Sequence, residues 1–288
     1  MGNSYAVRAA SIMLFALLLL PSAAHADFSM RSLSVFVNIN LDGSANIDEQ
    51  LEMVINGSQS RDLYDATRAS YSDLTTWKTT TGLAEMRHHV TRAKAEVTDL
   101  RIIPQAIERC NSFLGTCYAT VVIDYKMPAS QNGSGLIQVD RYKPRTLRYS
   151  LKQDALSFEQ TKTGDLILPT GTVISIAIPQ NAEKIFFSTV PTSLAGEPEE
   201  DFKYDSTSNT RYYIGTRRIF KWSGNALSKF QFTYEVELPL ETEVVDFFVD
   251  SQTSVSDTIF GPQGLAALFI ILTAAASFYY VNRINNQG

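Results

Sequence analysis

Leu33, Val35, Val37, Ile39 and Leu41 alternate with mainly polar neighbours. Asp42-Gly43 follows, and Ala45, Ile47, Leu51, Met53 and Ile55 then resume the alternation opposite Asn46, Asp48, Gln50 and Glu52. A period of two on both sides of an Asp-Gly turn predicts a long two-stranded β-ribbon with one apolar face. The period then changes. Leu63, Ala66, Ser70, Leu74 and Trp77 recur at spacings of three or four and Gly82 supplies a stop, which predicts one or two helices between Ser58 and Gly82 laid over that face. Strand character returns from Val97 to Arg109 and again through Ala119, Val121, Ile123, Tyr125 and Met127, predicting a second hairpin whose Pro104 marks an edge strand or a bulge.

The polar, turn-rich stretch Pro128 to Ser134 is the expected domain boundary. Beyond it lie about seven short candidate strands, a number and spacing that fit an immunoglobulin-like sandwich. The clearest are Leu147 to Lys152, Val173 to Ile178, Lys184 to Ser188, Arg211 to Gly215 and Lys229 to Leu238. The expected fold class is therefore mainly β with some α: an N-terminal α+β sheet domain over 27–128 and a C-terminal immunoglobulin-like β-sandwich over 135–239. Leu240, Val244, Phe247 and Phe248 suggest an amphipathic helix within a juxtamembrane segment, 240–262.

The two ends set the expected topology. Arg8, the apolar run Ile12 to Leu20 and Ala24-His25-Ala26 read as a secretory signal peptide over 1–26, with cleavage before Asp27. Nine apolar residues are too few for a span, which needs roughly 20. Gly264 to Val281 contains eighteen residues without a charge. At ~1.5 Å per residue they cover about 27 Å, close to the roughly 30 Å of a hydrocarbon core, which predicts one C-terminal transmembrane helix. Phe278, Tyr279 and Tyr280 lie at its interface, and Arg283 places the tail 282–288 in the cytoplasm with the body outside.

Cys110 and Cys117, seven positions apart, fit a disulfide in an oxidising compartment, with free thiols or half a metal site as the competing readings. Asn56-Gly57-Ser58 and Asn132-Gly133-Ser134 match the glycosylation sequon and equally match ordinary turns. Arg141, Lys143, Arg145 and Arg148 form the most basic stretch. They read either as a patch for an anionic partner or as an edge strand protected by charge and by Pro144. Thr273, Ala276 and Ser277 put small residues on one helix face, where a second helix can pack closely.

The net charge of −5 gives no support to nucleic-acid binding. After removal of the signal the histidines are His88 and His89, neighbours that read as surface or packing residues. The acidic group Glu197, Glu199, Glu200, Asp201 and Asp205 reads as a solvated loop rather than an ion site. No hydrolase, P-loop, dinucleotide or zinc-protease motif is present, so no catalytic, cofactor or metal residue is assigned. The layout of signal, β-rich body, single C-terminal span and short tail resembles uncharacterised single-pass envelope proteins, archaeal ones among them. It carries no diagnostic motif and transfers no functional residue. The expected function is a non-enzymatic, membrane-anchored envelope protein whose ectodomain binds or scaffolds a protein or glycan on the outer face. The alternatives are an accessory subunit assembled through its helices with itself or other membrane subunits, and a secreted-face hydrolase.

Overall fold

A computed structural model of the chain describes residues 26–70, 73–90, 97–129, 135–151, 153–206 and 209–238. The signal up to His25, the juxtamembrane segment, the transmembrane helix with Thr273, Ala276 and Ser277, the tail and Asn132 lie outside these residues. Among the described residues no helix is long and apolar enough to cross a membrane.

The ribbon forms as the alternation predicts. Strand β1 (Asp27–Ile39) pairs antiparallel with β2 (Ala45–Asn56), with a register shift between Met30 and Ser32. At the turn Gly43 has φ +82, and a Cβ there would stand 2.9 Å from Val139 Cγ2, so only glycine fits. The Asp42 carboxylate accepts the Ser44 amide at 2.9 Å, which closes the loop.

Two helices follow, α1 (Gly57–Ala69) and α2 (Leu74–Thr81). Asp73 caps α2 by accepting the Thr76 amide at 2.7 Å, and Gly82 ends it in the left-handed region. The inward face differs from the one the periodicity suggests. Ser60, Tyr64 and Thr67 are buried on α1, whereas Leu63 and Ala66 are exposed. Tyr64 claims the inside because its ring meets Trp77 edge-on at 5.2 Å and its hydroxyl donates to the Gln105 carbonyl at 2.7 Å. A buried ring with its polar tip satisfied outweighs the smaller gain from Leu63.

The remaining strands are β3 (Thr98–Pro104), β4 (Glu108–Asn111), β5 (Thr116–Met127), β6 (Ile137–Lys143), β7 (Thr146–Leu151), β8 (Glu159–Gln160) and β9 (Leu166–Ile167). They continue with β10 (Thr172–Ala177), β11 (Ala182–Phe187), β12 (Phe202–Asp205), β13 (Thr210–Tyr213), β14 (Ile219–Ser223), β15 (Ala226–Leu227) and β16 (Phe232–Glu237). The architecture is mainly β with multiple sheets.

The first sheet runs β14-β10-β1-β2-β5-β3, and β4 also pairs with β5. Strand β3, with Pro104, is at its edge and carries a bulge. This sheet takes strands from both sides of Pro128–Ser134. β10 lies parallel to β1, Leu33 against Thr172 through Asn38 against Ala177, and β14 pairs with β10. An open side of β1 leaves a row of unpaired backbone groups, and β10 covers the stretch Leu33 to Asn38. A second, six-stranded sheet has the order β12-β13-β11-β16-β7-β6, and β15-β9-β8 form a small third one.

By compactness the described residues divide into those within Met1–Val139 and Tyr149–Tyr234, and those within Asp140–Arg148 and Glu235–Gly288. Within the first unit, Phe187 of β11 lies 5.2 Å from Phe220 and 6.2 Å from Trp222 of β14, and Phe232 of β16 lies 5.7 Å from Trp222. These rings join the two sheets face to face, as in a β-sandwich. Within the second unit, Arg148 donates to the Glu235 carboxylate at 2.7 Å, and Arg145 donates to the Leu238 carbonyl at 3.1 Å.

Candidate functional site

Because side chains alternate across a strand, the first sheet has two faces of opposite character. Its apolar face contains one charged intruder. Glu49 occupies an inward position of β2 between Ile47 and Leu51 and is 1% exposed. Four donors converge on its carboxylate: the His89 amide at 2.7 Å, His89 Nδ1 at 2.7 Å, the Val90 amide at 3.3 Å and the Tyr125 hydroxyl. Tyr125 in turn accepts the Val90 amide at 3.1 Å. Such convergence makes a buried carboxylate tolerable.

Burial pushes the Tyr125 phenol far above its ordinary value, and the Glu49 charge adds to the effect. Burial holds His88 below the ordinary histidine value, with Glu49 opposing and His89 reinforcing. This cluster contains the acid–histidine half of a hydrolytic triad, but the histidine is enclosed. His89 is 1% exposed, stacks on Phe158 at 5.0 Å, and its Nε2 has no partner. It ties the 84–90 turn to the sheet, the packing role expected of the histidines.

The opposite face is open and polar. A groove of about 1090 Å³ lies along it. One rung of the sheet runs through its floor: Lys221 of β14, Ser175 of β10, Phe36 of β1, Asp48 of β2, Asp124 of β5 and Arg101 of β3 are successive cross-strand partners. At ~4.8 Å per strand this rung spans about 24 Å. Its centre holds two facing carboxylates beside an aromatic ring, and each end holds a cation.

The Asp48–Asp124 pair is electrostatically tense. Partial burial raises the Asp124 carboxyl above its ordinary value, and the hydrogen bond and charge of Asp48 raise it further. Arg101, 3.4 Å from Asp124, pulls the other way. Asn38 and Asn46, themselves paired, and Gln50, which donates to Asp48 at 2.9 Å, extend the polar floor. The face therefore offers carboxylate acceptors, amides that donate and accept, and one ring for stacking. Among the described residues no group of three or more histidines, cysteines or carboxylates is placed to hold a metal ion.

The residues singled out in the sequence lie elsewhere. Cys110 and Cys117 form a disulfide at the tip of β4 and β5. Asn56 ends β2 and donates to the Asp27 carboxylate at 2.8 Å. Lys143 and Arg148 both approach the Tyr142 ring, at 5.4 Å and 3.5 Å, on and beside the edge strand β6. With Arg145 and Arg148 committed to partners inside their own unit, the basic stretch is largely engaged. Arg141 and Lys143 are exposed.

The groove was not singled out in the sequence, because Asn46, Asp48 and Gln50 look like any solvated strand face. Its signal is two-dimensional, since the strands it combines are far apart in the chain. Glu49 had a one-dimensional signal: a carboxylate in the apolar half of the alternation. Comparison of the sequence with protein-family models and with curated proteins finds no match to either.

Proposed function

We propose that this chain is a membrane-anchored envelope protein whose extracytoplasmic body binds a hydroxyl-rich ligand, a glycan, on the open face of its first sheet. The observation that carries the reading is the central part of the rung, with Asp48 and Asp124 facing each other beside Phe36. Sugar hydroxyls donate to carboxylates, and the apolar face of a sugar ring packs on an aromatic side chain. The near balance of Asp99, Asp48 and Asp124 against Arg101, Lys126 and Lys221 in the groove favours a neutral ligand over a strongly charged one.

The anchor and orientation rest on the apolar run 264–281, Arg283 and the signal at 1–26. An immunoglobulin-like arrangement of the part from 135 to 239 is the finer reading of the second sheet, supported by its facing of β14 through Phe187, Trp222 and Phe232.

The test is binding of the detergent-solubilised full chain to an array of neutral and charged envelope glycans. A ligand found there should lose at least tenfold in affinity in Phe36→Ala and in Asp48→Asn, while Lys203→Ala stays at the parent value. Retention of affinity in both groove variants, or binding to no glycan, would discard the reading. Stable co-purification of membrane subunits in mild detergent, independent of both variants, would replace it with the accessory-subunit role.

A further inference from the structure

The disulfide loop presents its most apolar residues to solvent. Phe113 is 94% exposed and Leu114 65%, side by side at the tip between β4 and β5. The loop is held from several directions. Asn111 Oδ1 accepts the amides of Phe113 and Leu114 at 3.0 and 3.1 Å, Gly115 takes a left-handed φ of +65, and its carbonyl accepts the Gly57 amide at 3.1 Å. With Cys110 bonded to Cys117 at its base, the tip is ordered before it meets anything, so little conformational entropy is lost when it docks.

The same unit carries a receptor of matching chemistry. A groove of about 720 Å³ lies between the C-terminal end of α1 and the edge strand β3, walled by Ala69, Leu100, Ile102, Ile103 and Pro104. Leu100 is 43% exposed and Ile103 45%, high values for large apolar residues on an edge strand. The two charged residues at its rim are already used, Arg68 paired with Asp65 and Asp73 capping α2. Five of its seven lining residues are apolar, and the two charged ones are engaged within the chain.

The geometry points to a second copy of this chain as the occupant: the Phe113-Leu114 tip of each protomer seats in the Leu100–Pro104 groove of the other. The tip cannot serve its own groove. Ile103 faces Val122 on β5 while the tip immediately precedes Thr116 at the start of that strand, a separation of about 20 Å at ~3.3 Å per residue along a rigid strand. Tip and groove lie along the same edge of the sheet, so a two-fold axis between them forms both contacts at once and closes the assembly as a dimer.

Backbone pairing of the two edges is a poorer solution. Pro104 lacks a donor, and irregularities at Thr98/Arg101 and at Glu108/Asn111 break both edge strands. A lipid surface is disfavoured by charge. Arg31 and Arg109 share one carboxylate, Glu52, and Glu108 and Asp27 stand nearby, so no basic excess surrounds the tip.

A photoreactive diazirine analogue of phenylalanine placed at position 113 of the full chain tests this in native membranes, using mixed isotope-labelled and unlabelled copies. Illumination should yield adducts that join labelled to unlabelled chains and map to the peptide containing Leu100 to Pro104. Ile103→Asp or Leu100→Lys on the acceptor copy should cut their yield at least tenfold. Melting of both variants at the parent temperature shows that the loss is not unfolding. Adducts to lipid, to another protein, or to a different part of the second copy overturn the proposal, as does a yield unchanged by both acceptor variants or the absence of adducts.

Discussion

Glu49 shows how much a single position can hold. Its carboxylate organises His89, Val90 and Tyr125 inside an apolar layer, so removing it takes the acceptor from four donors rather than one. Glu49→Ala should cost about 3–5 kcal/mol, the order expected when a buried polar network loses the acceptor its donors share. At roughly 2–4 °C per kcal/mol for a body of this size, melting should fall by about 10 °C. Tyr125→Phe, which removes one hydroxyl, should cost about 1–3 kcal/mol, and the two losses should not add, because both act on one network. Urea denaturation of parent, single and double variants measures this.

Asp124 makes the opposite kind of prediction. Its folded-state pKa is raised, so the stability linked to its proton is fully present below the unfolded carboxyl value and is lost as pH rises through the folded one. Asp124→Asn should therefore melt above the parent at neutral pH, on the order of 1–2 °C, with the advantage disappearing below pH ~4. An advantage that grows on acidification would show that Arg101, and not Asp48, dominates the site. At this scale the sequence was partly legible. Glu49 breaks an apolar row and can be seen in one dimension, whereas the pairing of Asp48 with Asp124 becomes visible only through the strand register.

Elements were the most legible layer. The alternation around Asp42-Gly43 and the run from Ala119 to Met127 became β1, β2 and β5, because a period of two leaves a chain little else to do with its apolar side chains. Pro104 marked an edge strand, whose bulge lies further back between Thr98 and Arg101, and Gly82 stopped a helix, each through its own backbone constraint. The inward face of α1 was misjudged because spacing counts Leu63 and Tyr64 alike, while only Tyr64 finds both a ring partner and a carbonyl.

The disulfide belongs to this scale too. Cys110→Ser should lower stability by about 2.5 kcal/mol, the chain-entropy value for so short a loop. Mass mapping without reduction should find Cys110 joined to Cys117. The destabilisation should be accompanied by faster amide exchange at Phe113 and Leu114, whose ordering depends on the staple. Parent-like exchange at the tip would mean that Asn111 alone holds the turn.

For the molecule as a whole, the proposed anchor carries an expectation about where the body lies. Protease added to intact cells or spheroplasts should digest the segment from Asp27 to Pro262 and leave a small membrane-bound C-terminal fragment. The mature chain should begin at Asp27. Protection of the body would reverse the orientation drawn from Arg283.

The parallel pairing of β1 with β10 also constrains the order in which this protein can be made. A chain synthesised from its N-terminus can close the β1–β2–β5 meander early, since those contacts are comparatively local. The far side of β1 must wait until Thr172 to Ala177 has been made, and Ile219 to Ser223 must follow before β10 is itself covered. Contacts this distant in sequence are slow to form, and the waiting species exposes the strand edge from Leu33 to Asn38. During biogenesis the vulnerable interval is therefore the passage of the middle third of the chain. A ribosome stalled there would release a nascent protein that aggregates through its first strand, although every residue of that strand is already in place.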